Sequence, residues 1–420
     1  MENNKVRTLV GTGVGNFFEW LDFTIYGFFS TAISLTFFPG EDEVLALVAT
    51  IGAFAIGFLT RPLGAYVMGR YADTIGRTNA LVITFAMMGL GTVFIVAAPS
   101  YQAAGAVGAV CVLLGRLLQG FAASGEYGAA AAQFLEVAPD GKKGRYVSLL
   151  AVSTYLALAA GALLAVGVYQ FFGTEAAEAY GWRYAFIIGL FIIPLGMWVR
   201  VHMSDSEEFK KARAVAPEKP GKIDWRAIMI VIGFTSLGTS SLYLSMIFMP
   251  SYAKAAFDIP VMYTSITTSL SCAVVAVCAY LGGWMSDRAG PVVPTCGGLL
   301  VITLGGLSAY LYVLSEPMFL SILLFQLVNG IGLGFFVGGS LSTISLLFLT
   351  SGRALGMGLG YNLGVAVFGA FAPIVSTAAL SYSINYAPAL YIAFTSVISM
   401  FSVKALLAHP AQKFDVGIAK

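Results

Sequence analysis

Charge is scarce in this chain. Only 10% of its 420 residues are Asp, Glu, Lys or Arg, whereas 58% are hydrophobic. A water-soluble domain carries roughly 25% charged residues to keep its surface wet, so most of this surface must face lipid. The net charge of +2 is too small, and its basic residues too scattered, for a nucleic-acid partner. Histidine is limited to His202 and His409, both beside polar segments at helix ends, which argues against a histidine-based catalytic or metal centre. The four cysteines, Cys111, Cys272, Cys278 and Cys296, lie in apolar stretches without a CxxC pair and read as small buried hydrophobes. No GxxxxGK[ST] phosphate loop occurs, so ATP-driven transport has no support. Neither an enzymatic activity nor a cofactor or metal is expected. The first apolar stretch is too long for a cleavable signal, carries Glu19 and Asp22, and has no small-residue cleavage site.

Long apolar runs fill the space that charge leaves. A bilayer crossing takes roughly 20 apolar residues, and that ruler places spans at about 11–36, 44–68, 79–98, 104–134, 147–171 and 182–201. After a polar connector it places six more, at about 227–252, 264–284, 292–314, 318–348, 354–380 and 386–408. The fold class is therefore all-α and polytopic, with twelve transmembrane helices. Lys and Arg concentrate on the loops that share a side with the N-terminus, while the opposite loops hold only Arg183 and Lys254. The positive-inside rule then puts both termini in the cytoplasm of a multi-pass inner-membrane protein. Ser204–Asp224, rich in Lys and Pro, reads as a linker, dividing the chain into 1–203, 204–225 and 226–420.

Three landmarks recur in order at a spacing of about 210 residues, as an internal duplication would leave them. Gly69-x3-Asp73-x2-Gly76-Arg77 is matched by Gly283-x3-Asp287-Arg288-x-Gly290. Arg116-x2-Gln119-Gly120 is matched by Gln326-x2-Asn329-Gly330, and Gly144-Arg145 by Gly352-Arg353.

An ionisable group in hydrocarbon costs roughly 2.5–3.5 kcal/mol even on lenient scales. Five lie well inside the expected spans, away from their ends, all in the first half: Glu19, Asp22, Arg61, Arg116 and Glu126. Helical spacing puts Asn16, Glu19, Asp22 and Tyr26 on one face of the first span, and Arg116, Gln119, Ala123 and Glu126 on one face of the fourth. Opposite charges at matching depth are expected to bring the two stripes together. Such a network could serve only to fix helix packing. It could equally couple protons through Asp22, Glu19 and Glu126 while Arg116, Arg61, Tyr26 and Gln119 bind a substrate carboxylate, for which arginine's planar fork is suited. The second half offers neutral groups instead, and Gln326, Asn329, Tyr361 and Asn362 are the candidates for substrate contact there. Single Ser and Thr hydroxyls more often bond back to their own helix. Glycines at four-residue spacing, Gly330, Gly334, Gly338 and then Gly352, Gly356, Gly360, Gly364, read as close-packing and sliding surfaces.

These motifs resemble the major facilitator superfamily, whose loop signature after helix two is GxxxDxxGR. More narrowly the chain is similar to the metabolite:proton symporters, the group of the proline/betaine, shikimate, α-ketoglutarate and citrate permeases. The resemblance rests on Gly15–Phe23 with Tyr26-Gly27, Arg61-Pro62-Leu63-Gly64, Gly115–Gly120 with Gly125-Glu126, Gly181-Trp182-Arg183, and Gly360-Tyr361-Asn362. Thr74 and Pro291 stand where the two loop signatures usually carry a basic residue. The resemblance implies two six-helix bundles related by a pseudo-two-fold axis and alternating access by rocking. It assigns gating to Asp73, Arg77, Asp287 and Arg288, with Asp73 pairing with an arginine and a positive helix N-terminus. The activity it implies is proton-coupled uptake of a small organic acid or zwitterion by a monomer, the proton being the coupling ion. The alternatives are a proton-antiport efflux carrier and a transporter-like membrane sensor.

Overall fold

The computed structural model describes residues 2–40, 43–75, 77–124, 130–131, 134–135, 137–195, 198, 224–348 and 353–409. Their side chains are described except those of 2–8, 69–81, 345–346 and 353–355. Every regular element among the described residues is helical. The first span is α1 (Glu2–Phe28) continued by α2 (Ser30–Phe37), and the second is α3 (Glu43–Leu59) continued by α4 (Arg61–Ile75). Then come α5 (Arg77–Val96), α6 (Val107–Ala123), α7 (Lys143–Ala176) and α8 (Trp182–Gly189). Beyond the linker lie α9 (Trp225–Leu242), α10 (Met249–Phe257), α11 (Val261–Ala289), α12 (Val292–Leu300), α13 (Leu307–Ser315) and α14 (Phe319–Leu346). The chain closes with α15 (Arg353–Gly364), α16 (Phe371–Ala378) and α17 (Ala387–Leu407).

Eight helical stretches among the described residues are long and apolar enough to cross a membrane. One of them, Lys143–Leu195, holds two of the expected spans, and the chain turns between them at Gly173, whose φ of 76° only glycine adopts at no steric cost. Val82–Val96 and Val107–Ala123 are shorter apolar helices where the third and fourth spans are expected. The seventh, ninth and eleventh spans each contain a wider, π-helical turn: Tyr243–Ile247, Val301–Gly306 and Val365–Gly369. Such turns are rare and frequent at functional sites.

Local chemistry sets the helix ends. The Asp224 carboxylate accepts hydrogen bonds from the backbone N–H groups of Arg226 (3.0 Å) and Ala227 (3.1 Å), capping α9. His409 Nε2, just past α17, lies 3.2 Å from the same carboxylate and ties the last helix to the first of its half. At the end of α5, Arg183 donates to the carbonyls of Val96 (3.2 Å) and Ala98 (3.0 Å) while its guanidinium stacks 4.5 Å over Trp182. A cation is favoured at a helix C-terminus, where carbonyls are left without partners. Arg183→Ala should therefore cost about 1–3 kcal/mol of stability, seen as a lower unfolding midpoint in detergent. Transport per folded molecule should be retained; an unchanged midpoint would show that water replaces these bonds at no loss.

The halves pack through a few helices. α7 runs along α11 and α14, α1 meets α10 and the Tyr243–Ile247 turn, α3 meets α16, and α4 meets α15. Glycines permit the close approaches, as the four-residue spacing suggests. A Cβ on Gly334 would lie 2.8 Å from the Val275 carbonyl oxygen, on the seam between α14 and α11. A Cβ on Gly57 would lie 2.7 Å from the carbonyl oxygen of Arg116, so α3 and α6 touch backbone to backbone beside the buried charges.

Candidate functional site

Asp22, on α1, is buried and held from two other helices. Thr92 on α5 donates to its Oδ1 at 2.7 Å, and Gln119 on α6 donates to its Oδ2 at 2.5 Å. Gln119 also donates to Thr92 at 3.0 Å, so the three side chains form a closed triangle. Arg116, one helical turn from Gln119, brings Nη1 to 3.9 Å from Asp22 Oδ2, with the guanidinium wholly buried. That distance is an ion pair but not a hydrogen bond. Nε, Nη1 and Nη2 of Arg116 have no hydrogen-bond partner among the described residues. What faces the guanidinium instead is aromatic: Tyr26 at 3.9 Å, Phe54 at 5.2 Å and Phe23 at 5.5 Å from ring centre to the guanidinium carbon. Cation–π contacts of this kind contribute roughly 0.5–2 kcal/mol each but leave the N–H groups unmet.

Arg61, the first residue of α4, makes a second such arrangement over Phe58 (4.4 Å) and Phe23 (5.0 Å), so Phe23 is shared by both cations. The second half contributes Tyr243 and Phe248. Tyr243 packs edge-on against Phe58 (5.7 Å) and Phe54 (6.0 Å), and Phe248 against Phe54 (5.2 Å). The buried Tyr243 hydroxyl has no hydrogen-bond partner among the described residues and lies within electrostatic range of Arg61, Glu19, Arg116 and Tyr361. Tyr243 opens the π-helical turn of its span, and a Cβ on Gly369, in the π turn of the eleventh span, would lie 2.9 Å from its ring. Two guanidinium groups thus sit in an aromatic box closed by a side chain from the opposite half.

The family model described as Major Facilitator Superfamily matches residues 12–373. The chain belongs to the major facilitator superfamily. It is 33% identical over 368 residues to a citrate-proton symporter of Salmonella typhi, covering 87% of this chain and 85% of the relative. It is 30% identical over 420 residues to an ectoine/proline transporter of Corynebacterium glutamicum, covering 94% and 82%. The solved structure of a proton:xylose symporter superposes with a TM-score of 0.77 at 13% identity, over 97% of this chain and 96% of that one, a likeness of fold. As a member of this superfamily the chain is a multi-pass inner-membrane transporter and not an enzyme. Its twelve helices form two six-helix bundles.

The bundles meet at both ends of their interface. At one end Ser30 and Ser251 share a hydrogen bond of 2.6 Å. At the other, Asp287 at the end of α11 accepts from the backbone N–H of Gly144 (2.7 Å) and Arg145 (3.2 Å) and from Arg145 Nε (2.8 Å). The carboxylate caps the N-terminus of α7 across the interface, where the helix dipole favours an anion. Its arginine comes from the first half; Arg288, also expected to gate, is exposed and stacks 4.0 Å over Trp284. Asp287→Asn should weaken this closed end by about 1.5–3 kcal/mol and change the turnover rate, leaving substrate Kd within about twofold. Turnover and binding measured on the same purified protein separate the two, and loss of binding in a folded variant would refute a latch.

The other expected site residues divide into groups. Tyr26 belongs to the box, and its hydroxyl donates to the Thr50 carbonyl at 3.0 Å. Glu19 is buried on α1, within electrostatic range of Tyr243 and Tyr361. Asn16, on the face expected to carry the charges, instead donates to Ser153 (2.6 Å) and Thr154 (2.9 Å) on α7. Tyr361 lines the cavity between the bundles. Asn362 donates across the interface to the Ser124 carbonyl (3.3 Å) and back to Gly358 (2.9 Å). Gln326 is anchored inside the second bundle by the Ser245 carbonyl and Thr268 hydroxyl, both at 2.7 Å. Asn329 is buried beside Gly306, its amide without a hydrogen-bond partner among the described residues. Neither Gln326 nor Asn329 lines the cavity. Glu126 and the side chains of Asp73 and Arg77 lie outside the described residues. Sequence reasoning left out Thr92, Phe54, Phe58, Phe248 and, as a site residue, Tyr243. Among the described residues no group of three His, Cys, Asp or Glu is placed to hold a metal ion.

Proposed function

We propose that Arg116 anchors a substrate carboxylate and that Asp22 carries the coupling proton, in a symporter taking up a small organic acid. The observation that carries this reading is the wholly buried Arg116 guanidinium, 3.9 Å from Asp22 and with no hydrogen-bonded nitrogen among the described residues. A buried charge left without hydrogen bonds is costly, and a carboxylate meets two of its N–H groups in parallel. A substrate anion and Asp22 then compete for one guanidinium. When the substrate takes it, Asp22 loses its counter-charge and gains a proton; when the proton leaves, Arg116 returns to Asp22 and releases the substrate. Arg61 and Tyr243 complete the recognition, Glu19 and Glu126 serve proton movement, and Asp73 and Arg77 belong to the gate of the first half as Asp287 belongs to that of the second. The proton is the coupling ion, and no other cofactor takes part.

The relatives named as citrate-proton symporters support proton coupling and a carboxylate cargo. The Lys and Arg distribution supports termini on the cytoplasmic side, and the polar 204–225 stretch supports a boundary between bundles 1–203 and 226–420 in a monomer. Purified protein in sealed liposomes should accumulate substrate when the outside is acidified and stop when a protonophore is added. Accumulation that survives the protonophore and follows an imposed sodium gradient would remove the proton from the mechanism.

A further inference from the structure

We infer that the cargo is a ring-bearing monocarboxylate, moved with one proton in an electroneutral step. The inference rests on Arg116 as the carboxylate anchor and adds what the rest of the molecule must look like. A cavity lies between the bundles, walled by α1 and α7 on one side and α9, α14 and α15 on the other. Its wall is chiefly aromatic and aliphatic, with Trp20, Tyr155, Phe234, Phe336 and Tyr361 supplying the rings. None of its described lining residues is charged, and their polar side chains are hydroxyls such as those of Thr235, Thr239 and Ser340. Neither Arg116 nor Arg61 is among its described lining residues; the wall approaches the guanidinium cluster through one ring, that of Phe23. Trp20 lies 6.5 Å from Phe23, the ring shared by Arg61 and Arg116, and Leu242 precedes Tyr243. A molecule with its carboxylate at Arg116 and its body in this cavity would bury that body against rings and hydroxyls.

The charge count points the same way. Among the described residues the buried Asp, Glu, Lys and Arg side chains are Arg61 and Arg116, Glu19 and Asp22, two of each type of charge. One added carboxylate is offset by one proton. A di- or tricarboxylate brings further negative charge into a wall that offers only hydroxyls, and unpaired buried charge is strongly disfavoured. A quaternary ammonium would find rings but no free anion in the lining, since none of those residues is acidic.

The test uses the full chain in liposomes, with protein-free liposomes as baseline for passive entry. The probes are labelled 4-hydroxybenzoate, cyclohexanecarboxylate, citrate, 2-oxoglutarate and glycine betaine. Under an imposed pH gradient the two ring monocarboxylates should accumulate at least ~10-fold above baseline, the other three near it. A potassium diffusion potential of either sign should leave the initial rate within about twofold. Binding should quench tryptophan fluorescence, and Trp20→Phe should remove most of that signal, because Trp20 is the tryptophan in the cavity wall. Proton-driven uptake of citrate or 2-oxoglutarate without the ring acids would overturn this inference while leaving proton-coupled carboxylate uptake intact. Uptake of betaine alone would overturn this inference and the organic-acid cargo, while a carboxylate anchored at Arg116 would stand. Ring-acid uptake accelerated several-fold by membrane potential would overturn the one-to-one electroneutral step.

Discussion

Arg116→Ala abolishes proton-driven accumulation, on the expectation set by the geometry of its guanidinium. Removing the anchor from a buried charge pair costs about 2–5 kcal/mol, or roughly 30-fold or more in substrate affinity. It also leaves Asp22 without its cation, although Thr92 and Gln119 still donate to it. Arg116→Lys keeps the charge and loses the planar fork, so it should retain weak binding and little transport. The lysine ammonium must also do without much of the stacking on Tyr26 and Phe54 that the flat guanidinium enjoys. Both variants are first checked for a single monodisperse species, then assayed for substrate binding from pH 5 to 8 and for uptake. A well-folded alanine variant that transports at the wild-type rate would show that Arg116 neither binds cargo nor takes part in coupling.

Asp22→Asn should produce a different defect. Asparagine preserves the shape of the carboxylate and can still accept one of the two hydrogen bonds, but it carries neither charge nor transferable proton. Exchange of labelled for unlabelled substrate across the membrane should continue, while accumulation against a gradient falls to equilibrium. Arg116 becomes a buried cation without a counter-ion, an arrangement that destabilises by about 3–5 kcal/mol. Bound substrate supplies the missing anion, so ligand should raise the unfolding midpoint of the variant more than that of the wild type. Concentrative, pH-driven uptake by a folded Asp22→Asn protein would place the coupling proton elsewhere.

The two predictions depend on residues of unequal legibility. Asp22 and Arg116 stand out in sequence because charge in hydrocarbon is expensive and the surrounding stretches are apolar. Gln119 follows from helical spacing on the same face. Thr92 carries no such signal, since one hydroxyl in an apolar helix usually bonds its own backbone, as Thr92 also does to Met88 at 3.1 Å. The aromatic box is equally quiet. Among 31 phenylalanines and 20 tyrosines, nothing marks Phe54, Phe58 or Tyr243 until the second bundle is laid against the first. Periodicity reports which face of a helix is apolar, not which ring on that face meets a cation from another helix. The same limit explains Asp287. Its motif suggests a latch, but its partner depends on the depth at which α7 begins relative to the end of α11. The twelve spans were readable because lipid imposes length and apolarity on each one separately; the π-helical turns were not, since they answer to packing between helices.

The triangle around Asp22 also imposes a timetable on the making of the protein. Thr92 follows Asp22 by 70 residues and Gln119 by 97. A ribosome adding ~5–20 residues per second delivers the first partner several seconds after Asp22, and the second roughly 5–20 s after it. During that interval the first helix must be accepted into the membrane with its acid unanswered, a burden of ~2.5–3.5 kcal/mol on insertion scales. The nascent helix therefore has reason to wait, protonated or beside the insertion machinery, until α5 and α6 arrive to receive it. The acid proposed to carry the coupling proton in the finished carrier is, in the newborn chain, a buried charge that waits for its partners.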